Sequence, residues 1–157
     1  MVHSNIMRIA YSLGSLLSVN QVIKCSEILS KTNVESIWVP ETWGMENFSM
    51  LGAVANKTST QKIGSSIINI YSRSPSTIAM GASTVDILSN GRLVLGLGTS
   101  SEPIVEDFHG EKFENPVERM KEYVEIIRLA LTKKQINYSG KIFNLKNFTL
   151  LIEPKRQ

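Results

Sequence analysis

Apolar and polar positions alternate along the chain in two rhythms, one of period two and one of helical spacing. Residues 6–13 (IMRIAYSL) alternate and then meet Gly14, which predicts a strand. Ser18-Val19-Asn20-Gln21 is a Ser-x-x-Gln capping box. Behind it Val19, Val22, Ile23, Ser26 and Leu29 form a helical stripe. Ser36-Ile37-Trp38-Val39 predicts a second strand, stopped by Pro40. Residues 48–57 place Met50, Leu51, Val54 and Ala55 on one face of a short helix. Residues 62–70, rich in β-branched side chains, predict a third strand.

Ser74-Pro75 opens the next helix, with serine as cap and proline at the first helical position. Its small residues Ala79, Gly81, Ala82 and Ser83 suit close packing on a sheet. Asn90-Gly91 ends it, and residues 92–98 predict a fourth strand. Asn115-Pro116 starts a long helix with Val117, Met120, Val124, Ile127 and Leu131 as its expected buried stripe. Glu118 sits near its N-terminus, where the helix dipole favours an acid. Strands separated by helices run parallel, because each crossover returns the chain to the same end of the sheet. Residues 136–151 break the pattern. Two apolar segments flank Ser139-Gly140, which predicts a hairpin appended to an α/β body. The expected plan is one domain over 1–157, with βα units in 1–133, the hairpin in 134–152 and a tail in 153–157.

Composition narrows the class. A chain of 157 residues, 42% hydrophobic and 20% charged, suits one globular domain. The net charge of +3 is small and the basic residues are scattered, so no face is basic enough to collect phosphates and no nucleic-acid partner is expected. Cys25 stands alone and lies on the first helix's apolar stripe, which predicts a core thiol. The two histidines, His3 and His109, are too far apart to suggest a metal site. Apolar runs of membrane-spanning length and a signal-peptide pattern are both missing, so the expected setting is cytoplasmic.

Parallel α/β folds bind ligands at the carboxyl ends of their strands. Here those ends are Gly14-Ser15, Glu41-Thr42-Trp43, residues 69–73, and Gly98-Thr99-Ser100-Ser101-Glu102. The segment GRLVLGLGTSSEP (residues 91–103) lacks the third glycine and the immediate helix of a dinucleotide fingerprint. Two readings of its glycines remain: a strand end open to a phosphate or a ring edge, or tight packing inside a barrel. Glu41, Thr42 and Trp43 offer an acid, a hydroxyl and an aromatic wall, or else a plain surface loop. Arg73 and Tyr71 are either a solvated pair or contacts for an anionic tail. His109 is a proton carrier or part of a loop closure.

The segment from residue 91 to 131 (GRLVLGLGTSSEPIVEDFHGEKFENPVERMKEYVEIIRLAL) resembles the luciferase-like monooxygenase superfamily. It is closest to the branch that uses the deazaflavin coenzyme F-420, which includes methylenetetrahydromethanopterin reductases. ESIWVPETWG (residues 35–44) and KIGSSIINIYSRSPSTIAM (residues 62–80) resemble the same branch, so the likeness runs along nearly the whole chain. It implies a (β/α)8 TIM barrel of which about four units are present, with coenzyme F-420, or alternatively FMN, at the carboxyl rim. It implies a non-proline cis peptide at Ser66-Ile67 in the third strand, where the bond backs the cofactor ring. Asn69 is then a ring or phosphate contact, and Gly98, Thr99 and Ser100 hold the ring edge or tail. Glu41, Thr42 and Glu102 take the catalytic positions, and Trp43 walls the substrate pocket. Glu41-Thr42 stands where many relatives have Asp-His, and threonine cannot carry a proton as histidine does.

A closed barrel of this family needs roughly twice this length. Three explanations follow from the resemblance: a truncated gene product or fragment, a second copy of the chain that closes the barrel, or a complementary half-barrel chain. The implied function is hydride transfer between a deazaflavin or flavin and a small organic substrate. A non-catalytic flavin-binding module and an inactive fragment are the alternatives.

Overall fold

The computed structural model describes residues 7–132 and 135–155. The order is β1 (Ala10–Ser12), α1 (Val19–Leu29), β2 (Ser36–Val39), α2 (Asn47–Lys57), β3 (Lys62–Ser65), β4 (Ile68–Asn69), α3 (Pro75–Leu88), β5 (Leu93–Val94), β6 (Leu97–Gly98), α4 (Pro116–Thr132), β7 (Ile136–Ser139) and β8 (Asn144–Phe148). A π-helical turn, Ile104–Phe108, lies between β6 and α4. No helix among the described residues is long and apolar enough to cross a membrane.

β1, β2, β3 and β5 pair in that order and all run parallel. Tyr11, Ile37, Ile63 and Leu93 fall in register across the sheet. Ile37, Ile63 and Leu93 pack outward against Val22 of α1, Leu51 and Val54 of α2 and Val85 of α3. Side chains alternate faces along a strand, so Ser12, Trp38, Gly64 and Val94 line the opposite, inner face. Four βα units wrapped this way make half of a (β/α)8 barrel.

The predicted third and fourth strands are each broken in two. β3 ends at Ser65 and β4 resumes at Ile68, while β5 ends at Val94 and β6 resumes at Leu97. β4 and β6 then pair with each other as a separate parallel ribbon, Ile68 opposite Leu97 and Asn69 opposite Gly98. The first strand is also shorter than its alternation predicts, and Ile6 lies outside the described residues.

Local signals account for the helix starts. Ser18 and Gln21 form the capping box read from the sequence, with the Ser18 N–H donating to Gln21 Oε1 at 2.8 Å. Ser74 caps α3, whose first residue is Pro75. α2 starts one residue before its apolar pattern, because Glu46 is the cap and accepts from the N–H groups of Phe48 and Ser49. The helical stripes shift from expectation. Val19 is half exposed, and on α4 Val117 is 82% exposed while Glu122, Tyr123, Ile126, Ile127 and Ala130 are buried. On α4 the buried face is the one that meets α3 and the β7–β8 hairpin.

Arg92, at the amino end of β5, ties two helix ends together. Its Nε donates to Ser89 O at the end of α3. Its terminal nitrogens donate to Ala55 O, Thr58 O, Thr58 Oγ1 and Gln61 O around the end of α2. A cation is favoured where helix carbonyls are left unpaired. Arg92→Lys keeps the charge but not the planar fork, and is expected to cost about 2 kcal/mol in a denaturant melt.

Candidate functional site

The site builds from two groups of residues at the carboxyl end of the sheet. The first follows the strand breaks. The Ser66–Ile67 peptide bond is cis. Ile67 lays its side chain against Gly98, where an added Cβ would lie 2.7 Å from its Cδ1, so a larger residue at 98 would have to displace Ile67. A Cβ on Gly96 would lie 2.1 Å from the Ser65 carbonyl oxygen. Both glycines are thus closely packed against the segment that holds the cis bond.

Asn69 is 4% exposed. Its Oδ1 accepts from the Tyr71 N–H at 2.9 Å, while its Nδ2 is buried with no partner among the described residues. Ser100, half buried, has a φ of 59°, in the left-handed region that non-glycine residues enter at a cost. Ser66 and Ile67 lead into the β4–β6 ribbon, Asn69 and Gly98 pair within it, and Thr99 and Ser100 follow it, with an unsatisfied donor at Asn69 and an uncommon backbone conformation at Ser100. Such features suit a bound polar group such as a ring carbonyl or a phosphate oxygen.

The second group is a cleft of about 270 Å³ lined by residues 41–46, Ser72, Arg73, Phe108 and His109. Arg73 organises it. Its two terminal nitrogens grip Glu41 at 2.8 and 2.5 Å, and the second also reaches Glu46 at 2.6 Å. Glu41 and Glu46 stand at the two ends of one loop, so a single guanidinium closes it. Glu41 further accepts from the Asn47 N–H at 3.0 Å. Both acids thus serve α2's unpaired N–H groups, where the helix dipole favours them.

Hydrogen bonding to Glu41 raises the Arg73 pKa against the effect of its burial. Burial works to raise the Glu46 pKa. The hydroxyl and N–H of Ser49, the Phe48 N–H and the Arg73 charge outweigh it and hold the carboxyl below its ordinary value. The Tyr123 hydroxyl of α4 donates to the Arg73 carbonyl at 2.5 Å, fixing its backbone too.

Trp43 is 67% exposed and meets the Phe108 ring edge-on at 5.8 Å; Phe108 meets His109 at 5.0 Å. Tyr71 is buried and its hydroxyl donates to Glu114 O, and Arg73 is largely buried, so the two are not a solvated pair. Gly14 and Ser15 are exposed and line no part of the cleft; neither does Glu102, which is exposed just before the π-helical turn.

The model of the luciferase-like monooxygenase family matches residues 7–157. The chain belongs to that family. Among curated relatives, the 5,10-methylenetetrahydromethanopterin reductase of Archaeoglobus fulgidus is 36% identical over 118 residues, 74% of this chain and 35% of its own length. Among solved structures, the coenzyme F-420-dependent tetrahydromethanopterin reductase of Methanopyrus kandleri superposes with a TM-score of 0.84 at 20% identity. That match covers 94% of this chain and 47% of the other. The oxygenating constituent of 3,6-diketocamphane monooxygenase of Pseudomonas putida, solved with FMN, gives 0.79 at 16% identity, over 93% and 45%. The chain thus spans about a third of the curated reductase and about half of each solved luciferase-like chain.

The structure brings Glu41, Thr42 and Trp43 into one cleft, pairs Asn69 with Gly98 in one ribbon, and leaves Ser66 and Ile67 just before that ribbon and Thr99 and Ser100 just after it. The sequence reading missed Glu46 as a partner of Arg73 and Tyr123 as its backbone anchor. A helix started at residue 48 hides an acid cap at 46. Tyr123 lies 50 residues from its acceptor, beyond any local signal.

Proposed function

We propose that this chain forms half of an oxidoreductase barrel that holds a deazaflavin, coenzyme F-420, at the carboxyl ends of its third and fourth strands. FMN is the alternative cofactor. The observation that carries the reading is the buried, partnerless Nδ2 of Asn69. A donor shut away from water without an acceptor costs about 1–3 kcal/mol, and a cofactor oxygen at the rim would recover it. Ser66 and Ile67 back the ring, and Gly98, Thr99 and Ser100 hold its edge or tail.

The cofactor, when bound, supplies hydride chemistry toward a small organic substrate. Trp43 walls the substrate. Thr42 offers it a hydroxyl. Glu41, with both oxygens engaged by Arg73 and the Asn47 N–H, holds the loop in place. The family resemblance gives proton handling to Glu102, which is exposed after β6 and outside the cleft's lining. The other four units come from further polypeptide, a second copy or a complementary chain.

Spectroscopic titration with coenzyme F-420 and with FMN tests the reading. Asn69→Asp keeps the oxygen that caps Tyr71 and removes the donor. Its affinity is expected to fall roughly tenfold or more, with circular dichroism unchanged. Equal affinity in N69D, or no binding of either cofactor by the parent, would overturn it.

A further inference from the structure

We infer that the cleft between residues 41–46 and His109 takes a planar substrate that is neutral or cationic, and turns away anionic ones. The inference rests on the rim being the substrate side of a redox site. Its ground is a count of donors. Arg73 is the one lysine or arginine lining the cleft. Its first terminal nitrogen donates to Glu41 Oε2 and Ser72 Oγ, its second to Glu41 Oε1 and Glu46 Oε1. All four of those N–H groups are spent inside the protein. The guanidinium that would normally recruit a carboxylate or phosphate therefore has no fork left to offer. Two carboxylates against one guanidinium leave the ion cluster with an excess negative charge, and the Glu46 side chain is 46% exposed toward solvent.

The apolar side of the cleft points the same way. Trp43 and Phe108 are 67% and 53% exposed, touch edge to face, and sit beside the His109 ring. Large exposed aromatic neighbours mark a surface that gains by being covered. Their π faces attract a cation and accept a flat ring, and they give an anion nothing.

Three probes share one ring and differ in charge: tryptamine (cationic), indole (neutral) and indole-3-acetate (anionic). Each is titrated calorimetrically into the full chain, with and without saturating coenzyme F-420 or FMN. Tryptamine and indole are expected to bind, and indole-3-acetate at least about tenfold more weakly than tryptamine. Trp43→Ala, a change at an exposed position, is expected to abolish binding of all three. Glu46→Gln removes one charge and should shrink the gap between tryptamine and indole-3-acetate by about threefold or more. Indole-3-acetate binding as tightly as tryptamine, no binding by any probe, or binding that survives W43A would overturn the inference. Failure of both cofactors to bind while the probe order holds would instead sink the oxidoreductase reading and leave the cleft's selectivity standing.

Discussion

Glu122→Gln is expected to destabilise the fold by about 2–4 kcal/mol, read from chemical denaturation. Glu122 lies on α4 and is 2% exposed. Its carboxylate accepts from three consecutive N–H groups in the turn of the β7–β8 hairpin: Lys141 at 2.7 Å, Phe143 at 2.9 Å and Ile142 at 3.2 Å to each oxygen. Glutamine keeps the shape but turns one acceptor oxygen into a donor facing donors. Burial pushes the carboxyl's pKa up, and the N–H groups of Phe143, Lys141 and Ile142 outweigh it, so the group titrates below its ordinary value. A carboxyl with a depressed folded pKa stabilises fully above its unfolded pKa, about 4.3, and loses that contribution as pH falls through the folded value. The stability gap between parent and E122Q should therefore stay constant at neutral pH and narrow in acid. A gap that is absent at neutral pH, or that widens in acid, would refute this account.

Gly96→Ala should be comparably damaging, about 3 kcal/mol, because the intruding methyl meets backbone rather than a side chain that can swing away. Its Cβ would lie 2.1 Å from the Ser65 carbonyl oxygen. The same two residues are bonded both ways, Ser65 Oγ to Gly96 O and Gly96 N to Ser65 Oγ, each at 2.8 Å. Gly96 O also accepts from the Ile68 N–H at 2.9 Å, the first bond of the β4–β6 ribbon. Native-state hydrogen exchange offers a local reading. The Ile68 amide should lose protection in G96A by more than amides of β2 do.

The sequence spoke clearly where a signal is complete within one turn or one strand. Ser18 with Gln21, Ser74 with Pro75, and the apolar run through Ser36–Val39 stopped by Pro40 each led to the observed element. It was silent where the cause lies across the fold. At the breaks in the third and fourth strands Ser65 meets Gly96, 31 residues away, and the β-branched and apolar runs alone read straight through both. Glu122 falls on what spacing marks as a polar face, and becomes buried because a hairpin about 20 residues later closes over it. The cis bond at Ser66–Ile67 was legible through the family resemblance and not from any local pattern. Arg73 and Glu41 are ordinary surface types by composition; 32 residues of separation conceal that they form one staple.

The paired interruption of the third and fourth strands sets a rule for grafting. Segments 65–70 and 95–100 pass their backbone bonds to one another, Ile68 N–H to Gly96 O and Ile70 N–H to Gly98 O. Transplanting either stretch alone into another scaffold would strand the amides or carbonyls of the other. The transferable unit is the couple, moved together with the kink it shares.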